Sequence, residues 1–430
     1  MTTIPTSLDH QAQVRDFYEE IPYPNAPITD SGRNNLDGLF KVNYTTAQYL
    51  RTHQLMDGEG TVMLNAGCGS GYETLLLAES NPGAKIIAMD ISRESVKLTE
   101  QRLRYHGFTN AEYYVLDLRD LPSLGYEYDF ITCNDVLYLL DDPLDGLKSV
   151  AKVLKPDGIL RTNFHHIYGR RQMLEAQEVF RLLGQFDLPK PIAMGNVRSF
   201  LEALQPTIPA KSSYSQANIQ DNAILANNFL LYGDKGYSIL EVSEMLKQAN
   251  LGIVNLVDLP SWNLEDLFTE VPSFVADKIK SFSQLEQLHL FELLAPNRHR
   301  LIDFWAEQSG SSFVLPWTDE DWQSATLYLN PLLTDNTSFR GFVDKAVQKK
   351  QSMNFTWPGS PSKKLDIPAD RVPLIQTLLE TPTSVADLTE QAYDLARRRQ
   401  PREEIAEDLM IYFDAIEDFA LVMLGSGDEF

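Results

Sequence analysis

Cysteine is scarce in this sequence: Cys68 and Cys133 are the two thiols among 430 residues. Two cysteines cannot build a disulfide framework, and without a CxxC spacing they offer no structural zinc site, so no metal is expected. Positive charge is also short, 37 Lys and Arg against 60 Asp and Glu, for a net charge of −23. Such a chain repels a phosphate backbone, which argues against nucleic acid as a partner. The basic cluster Arg397, Arg398, Arg399 and Arg402 is followed at once by Glu403, Glu404, Glu407 and Asp408, the pattern of a solvated helix end. No run approaches the ~18 apolar residues of a membrane span. The opening MTTIPTSLDHQAQV has neither a basic start nor an apolar run. No membrane is therefore expected as a partner, and a reducing cytoplasm is the expected location.

What is present is an ordinary globular composition, 43% hydrophobic and 10% aromatic, long enough for a large α/β domain with a smaller attachment. The runs TVMLNA (61–66), KIIAMD (85–90), AEYYVLD (111–117), YDFITCND (128–135) and VLKPDGILRTNFHH (153–166) read as strands buried on both faces of a parallel sheet. Between them lie helical segments, one with Ser92 as N-cap and Gly107 as stop, another opening at Pro143. This alternation predicts a doubly wound sheet that binds ligands outside the carboxyl ends of its strands. MLEAQEVFRLLG opens a helical insertion over about 168–250, YSILEVSEMLKQANLGIVNLVDL reads as a helix and a sixth strand, and HRLIDFWAE (299–307) as a seventh strand or a helix. Nearer the C-terminus, RVPLIQTLLE and EEIAEDLMIYFDAIEDF carry apolar residues at helical spacing, and FALVML reads as a closing strand. Helices capped by a short hairpin suit a winged-helix-like module, read on charge grounds as a protein-contact or packing element. The expected division is an N-terminal lid and helix (1–60), a sheet domain with its insertion (61–310) and a C-terminal accessory domain (311–430).

The chemistry centres on VMLNAGCGSGYET, residues 62–74. A dinucleotide fingerprint, GxGxxG, would place a glycine where bulky Tyr72 stands, and no GK[ST] follows to make a phosphate loop. The compact turn Gly67-Cys68-Gly69-Ser70-Gly71 instead resembles motif I of class I S-adenosylmethionine-dependent methyltransferases. The resemblance implies S-adenosyl-L-methionine as cofactor, its amino-acid end lying close over glycine backbone. Asn65 stands where an acidic residue often precedes the turn, so a carboxylate contact to the cofactor's ammonium is weakened or replaced. Asp90, 19 residues after Gly71 (90 − 71), is implied to accept the ribose hydroxyls, with Ile91 in the same subsite. Asp117 is implied to meet the adenine amino group beside Leu118, and Asn134 and Asp135 occupy the motif IV position facing the transferred methyl. Each residue alone reads equally as a cap or turn residue; their joint register with the strand ends carries the assignment.

FYEEIPYPNAPI (17–28) resembles the FYxxxPYP box of a group of bacterial class I methyltransferases, and the resemblance covers roughly residues 14–308. Its Tyr18 and Tyr23 either cover the sulfonium or adenine, which an aromatic face favours by about 0.5–2 kcal/mol, or staple the box to the first helix. Methyl transfer is an in-line displacement at an already activated carbon, so alignment and exclusion of water are the main contributions. Asn134 and Asp135, with Tyr138 beside them, are candidates to hold the acceptor. His165 or His166 is a candidate base, alternation turning only one inward, with a structural hydrogen-bonding role as the other reading. His299 and Arg298 read as surface residues, and both cysteines as small buried ones. The insertion and the extra domain favour a protein acceptor. Size and the N-terminal box are also compatible with the phycobiliprotein asparagine methyltransferases, which narrows the expectation to an asparagine amide on a phycobiliprotein β subunit. The sequence Asn134-Asp135-Val136-Leu137 departs from the NPPY of other amide methyltransferases, leaving Asp135 as the clamp. The rival readings are a small-molecule O- or N-methyltransferase with a deep aromatic-lined pocket and a non-catalytic cofactor-binding scaffold.

Overall fold

The computed structural model describes residues 7–212, 216–308, 317–358, 364–417 and 419–425. Three helices precede the sheet: α1 (Ser7–Glu20), α2 (Leu36–Lys41) and α3 (Tyr44–Thr52). The five apolar runs then form parallel strands, β1 (Val62–Ala66), β2 (Lys85–Asp90), β3 (Ala111–Val115), β4 (Tyr128–Cys133) and β5 (Leu154–His165). With β6 (Leu251–Leu256) and β7 (Leu301–Gln308) they make a seven-stranded sheet of order β3-β2-β1-β4-β5-β7-β6. The 299–307 segment is thus a strand, antiparallel to both β5 and β6. Its imperfect alternation has a physical cause: Ile302, Phe304, Trp305 and Ala306 are all fully buried, so neither face demands polar residues. The β3 and β4 strands end two residues earlier than the sequence pattern predicts, which leaves Asp117 and Asp135 in loops.

The strand order turns back between β1 and β4, and the crossovers α4 (Tyr72–Ser80), α5 (Arg93–Tyr105) and α6 (Pro143–Ala151) cover the two faces. Ser92 caps α5 by accepting from the Ser95 N–H, and Asp142 caps α6 ahead of Pro143. On one face Leu75 and Leu77 of α4 and Leu103 of α5 pack with Phe130 and Trp305. On the other, Leu147 and Val150 of α6 meet Leu64, Ile131, Leu160 and Phe304. Each such side chain contributes about 1.5–3 kcal/mol through burial. The insertion, including α7 (Arg171–Leu182) and α8 (Lys190–Ala203), closes on an aromatic core in which Phe180 packs edge-on against Phe200 and Phe229, with ring centroids 5.2 and 6.0 Å apart.

The C-terminal unit contains β8 (Thr326–Leu329), β9 (Met353–Thr356), β10 (Lys364–Ile367), β11 (Thr383–Ser384) and β12 (Val422–Gly425). The expected closing hairpin is not what forms there. Strands β11 and β12 each pair with β8, which precedes the helices, while β9 and β10 pair with each other. The expected boundary at 310–311 lies outside the described residues. Within the 1–60 segment, α2 and α3 pack between the sheet and the C-terminal unit. The Tyr49 hydroxyl donates to Glu417 Oε1 at 2.5 Å and accepts from the Leu424 N–H at 3.0 Å. Phe40 packs edge-on against Trp305 of the sheet and Trp357 of the C-terminal unit, so one apolar core runs through both.

Candidate active site

The glycine turn leaves β1 with positive φ at all three glycines, 84° at Gly67, 51° at Gly69 and 83° at Gly71. A Cβ at Gly67 would stand 2.2 Å from Val136 Cγ2, at Gly69 2.2 Å from the Tyr23 carbonyl oxygen, and at Gly71 2.6 Å from Thr99 Cα. The close approaches that exclude side chains here are made by the protein itself, a reason the sequence reading did not anticipate. The N-terminal box is fastened on top. Ser70 donates its N–H to the Tyr23 carbonyl (2.9 Å) and its hydroxyl to the Pro24 carbonyl (2.6 Å). Arg102 of α5, only 3% exposed, donates to the carbonyls of Ser70 (3.0 Å), Pro27 (2.7 Å) and Ala26 (2.6 Å). Sequence reasoning missed Arg102, although it shares the helix face of buried Val96, Thr99 and Leu103.

A cleft of about 310 Å³ lies above the carboxyl ends of β1, β2 and β4. It is lined by Tyr18, Tyr23, Gly67, Cys68, Gly69, Asp90, Ile91, Asp117, Leu118, Asn134 and Asp135 among the anticipated residues, and by His10, Tyr72 and Glu73 among those not anticipated. Buried Phe17 is the staple, packing edge-on against Tyr18, whose hydroxyl donates to Asn227 Oδ1 (3.1 Å). Burial, with the Asp135 charge nearby, pushes the Tyr18 phenol well up and the Tyr23 phenol up, so both are neutral donors at ordinary pH. Burial likewise raises the Cys68 and Cys133 thiols, which removes nucleophilic character.

Asp90 accepts from the Gly69 N–H through Oδ2 (2.9 Å) and the Ser92 N–H through Oδ1 (2.8 Å). Burial lifts its carboxyl to about 6 against the pull of those N–H groups. Each oxygen keeps a lone pair for a further donor. Asp117 caps the turn after β3 and accepts from the Arg119 guanidinium at 3.0 and 2.9 Å. Asn65 sits below the cleft, its Oδ1 fixed by the Thr74 hydroxyl (2.6 Å). Its Nδ2 donates to Glu73 Oε1 at 3.0 Å, and Asn134 Nδ2 donates to the same oxygen at 2.7 Å. Asn134 Oδ1 is buried without a hydrogen-bond partner. The carboxylate absent from position 65 is therefore supplied by Glu73 in the first turn of α4. Its only signal in the sequence was an acid just past the glycines.

Residues 57–187 match the family described as "Methyltransferase domain". The chain carries a class I methyltransferase domain. Its cofactor is S-adenosyl-L-methionine. An uncharacterized protein of Synechococcus is 27% identical over 66% of this chain and 68% of its own length. The tRNA U34 carboxymethyltransferase of Campylobacter lari is 30% identical over 27% of this chain and 39% of its own length, so the methyltransferase spans well under two thirds of that relative. The structure of PKMT2 from Rickettsia typhi in complex with AdoHcy superposes with a TM-score of 0.61 at 14% identity, covering 89% of this chain and 75% of that one; the shared property is the fold.

The methyltransferase does not bring the two candidate histidines, Tyr138 or Gly71 onto the cleft wall. Asp135, held at φ 56°, donates its N–H to Asn163 Oδ1 (2.9 Å) and accepts the Tyr138 hydroxyl on Oδ1 (3.0 Å). His165 lies behind, stacked on Tyr138 with centroids 3.8 Å apart. Its Nδ1 meets Asp234 Oδ1 at 2.5 Å, and Arg170 and Gln177 donate to the other oxygen. Burial and Arg170 hold His165 below its usual pKa. Asp234 stays ionised because those donors outweigh its burial. His166 has both ring nitrogens engaged, with the His299 carbonyl (2.9 Å) and Glu292 (3.0 Å), a structural role. His299 itself is not a surface residue: it stacks on Trp262 at 4.1 Å and pairs with Asp258 at 3.3 Å. Alternation assigned a face to these side chains but not the insertion residues that engage them.

Gly69→Ala is expected to push the Tyr23 carbonyl off the turn and to lower unfolding free energy by about 1–3 kcal/mol, combining a strained φ with a steric clash. Urea unfolding compared with a Gly184→Ala control, where the added Cβ meets open space at a φ of 67°, isolates the clash.

Proposed function

We propose that this methyltransferase places the methyl group of S-adenosyl-L-methionine on a side-chain nitrogen of a protein, Asp135 receiving the acceptor N–H. The cleft fits the cofactor on its own evidence: an orphaned buried acceptor at Asn134 Oδ1 beside the Glu73 carboxylate, and a second carboxylate, Asp90, with lone pairs to spare. When bound, the cofactor supplies a methyl group already activated by its sulfonium. Glu73 and Asn134 Oδ1 hold its ammonium, Asp90 its ribose hydroxyls, and Asp117 and Leu118 flank its adenine. The glycine turn of Gly67, Cys68 and Gly69, with Gly71 packed behind it on Thr99, Asn65 beneath and Ile91 beside it, shapes the floor. Tyr18 and Tyr23 close the cleft and keep water out.

The observation that carries the acceptor class is Asp135, at the end of β4, with Oδ1 occupied by Tyr138 and Oδ2 without a described partner. An amine or amide reaching this carboxylate would donate an N–H to it, so that Asp135 would hold and orient the acceptor nitrogen. After transfer the surplus nitrogen proton leaves by way of that carboxylate. Support for a protein rather than a metabolite comes from the insertion, whose buried Phe180 and Phe229 pack against each other where the small-molecule reading requires an open aromatic pocket. The asparagine amide of a phycobiliprotein β subunit is the narrower acceptor within this class. The tRNA enzyme among the relatives offers a nucleic-acid alternative, which the net charge of −23 disfavours.

The deciding measurement is transfer of radiolabelled methyl into protein, RNA and metabolite fractions of a cell extract and into purified phycobiliprotein. Label in protein is the expected result; label confined to metabolites or RNA sinks it, and tight cofactor binding with no adenosylhomocysteine released points to a scaffold. Asp135→Asn should lower kcat by about 10²-fold, the usual scale for a proton-handling group, with cofactor affinity unchanged. Glu73→Gln should weaken adenosylhomocysteine binding by about 1.5–3 kcal/mol, the value of a charged hydrogen bond, measured by calorimetry. A proton on Asp90 competes with the ribose for the same lone pairs. Affinity for adenosylhomocysteine should therefore hold above pH 6 and fall by up to about tenfold per pH unit below it, a slope that Asp90→Asn removes.

A further inference from the structure

The C-terminal unit contains a second cavity, about 760 Å³, that has no part in methyl transfer. It is a groove between the helices Val385–Leu395 and Arg402–Glu417, closed at one end by the helix Asp319–Ser324. Apolar side chains form its floor, with Trp322 buried and Met410 half-buried, while Ile411 lies on its exposed side at 66%. Carboxylates form its rim, Asp319, Glu390, Glu403, Glu407 and Asp414. On the last helix, positions 403, 407, 411 and 414 recur at helical spacing and so share one face. Among the described residues Arg402 is the one basic residue lining the groove, and its guanidinium already pairs with Glu390.

From this combination we infer that the groove docks a basic amphipathic helix of a partner protein. Apolar residues of such a helix at i, i+3, i+4 and i+7 meet the floor, while lysines or arginines on its flanks meet Glu403, Glu407 and Asp414 of the last helix and Asp319 at the closed end. The same acids exclude nucleic acid, whose phosphates they repel. A second copy of this chain is disfavoured because two grooves of like charge would face each other in a protein of net charge −23. The inference goes beyond the methyl-transfer reading and does not depend on it, since the groove binds whether or not the bound segment is methylated.

The test uses the full chain and a fluorescent 18-residue helical peptide carrying leucines at i, i+3, i+4 and i+7 and lysines on both flanks. Binding is expected at low salt and weakens as salt rises. The triple charge reversal Glu403→Lys, Glu407→Lys and Asp414→Lys should raise Kd more than about tenfold. A control reversing exposed Asp187, Glu244 and Glu270 to lysine changes the net charge equally and should move Kd by less than about twofold, as expected of sites without shared partners. The inference is overturned if the peptide does not bind, if the two triple variants lose affinity equally, or if a peptide with glutamates in place of the lysines binds as well. Sedimentation of the protein alone completes the test: a dimer dispersed by the groove reversal assigns the surface to self-association and also overturns it.

Discussion

The cleft exists because a buried guanidinium holds two separate pieces of chain together. Arg102 bonds at once to the glycine turn, through Ser70, and to the N-terminal box, through Ala26 and Pro27. Five donors in a fixed fork allow one side chain to tie three carbonyls in a way a lysine cannot. The Tyr23 carbonyl then settles on Gly69, in space that only the absence of a Cβ leaves open. The wall carrying Tyr18 and Tyr23 is therefore as fixed as the sheet beneath it, and the glycines serve this packing as much as any ligand.

A second constraint joins the catalytic half to the rest. Through α2 and α3 the core continues without a break from Leu75 and Trp305 to Trp357 and the C-terminal sheet. The buried Tyr49 hydroxyl, between Glu417 and the Leu424 N–H, sets the register of that contact. Both hydrogen-bonding roles of this hydroxyl are filled, donor and acceptor, which is the condition under which a buried polar group stabilises rather than weakens such a seam. Any segment bound on the acidic groove is thus presented at a defined position relative to the sheet.

Much of this architecture was legible in the sequence, for an identifiable reason. Strands buried on both faces read as continuous apolar runs, so β1 to β5 stood out, and with them Asp90, Asp117, Asn134 and Asp135 at their ends. The antiparallel β7 was ambiguous because it is equally buried, so its side chains show no clean polar–apolar alternation to set it apart from a helix. Glu73 was illegible as a site residue: its meaning depends on α4 folding back so that its first turn meets Asn65 and Asn134. His165 and His166 carried a signal of position but none of partnership, since Asp234 and Glu292 lie 69 and 126 residues further on. Long-range partnership of this kind leaves no local pattern.

The seat of the N-terminal box has a consequence for biosynthesis. Residues 24–27 leave the ribosome before Ser70 and Arg102, the groups that hold them, so this segment cannot take its seat until the second crossover helix has followed. Until the second crossover helix has emerged, a nascent chain has strands but no roofed chamber. Competence to hold a ligand waits further on β4, whose end carries Asn134 and Asp135 to the cleft.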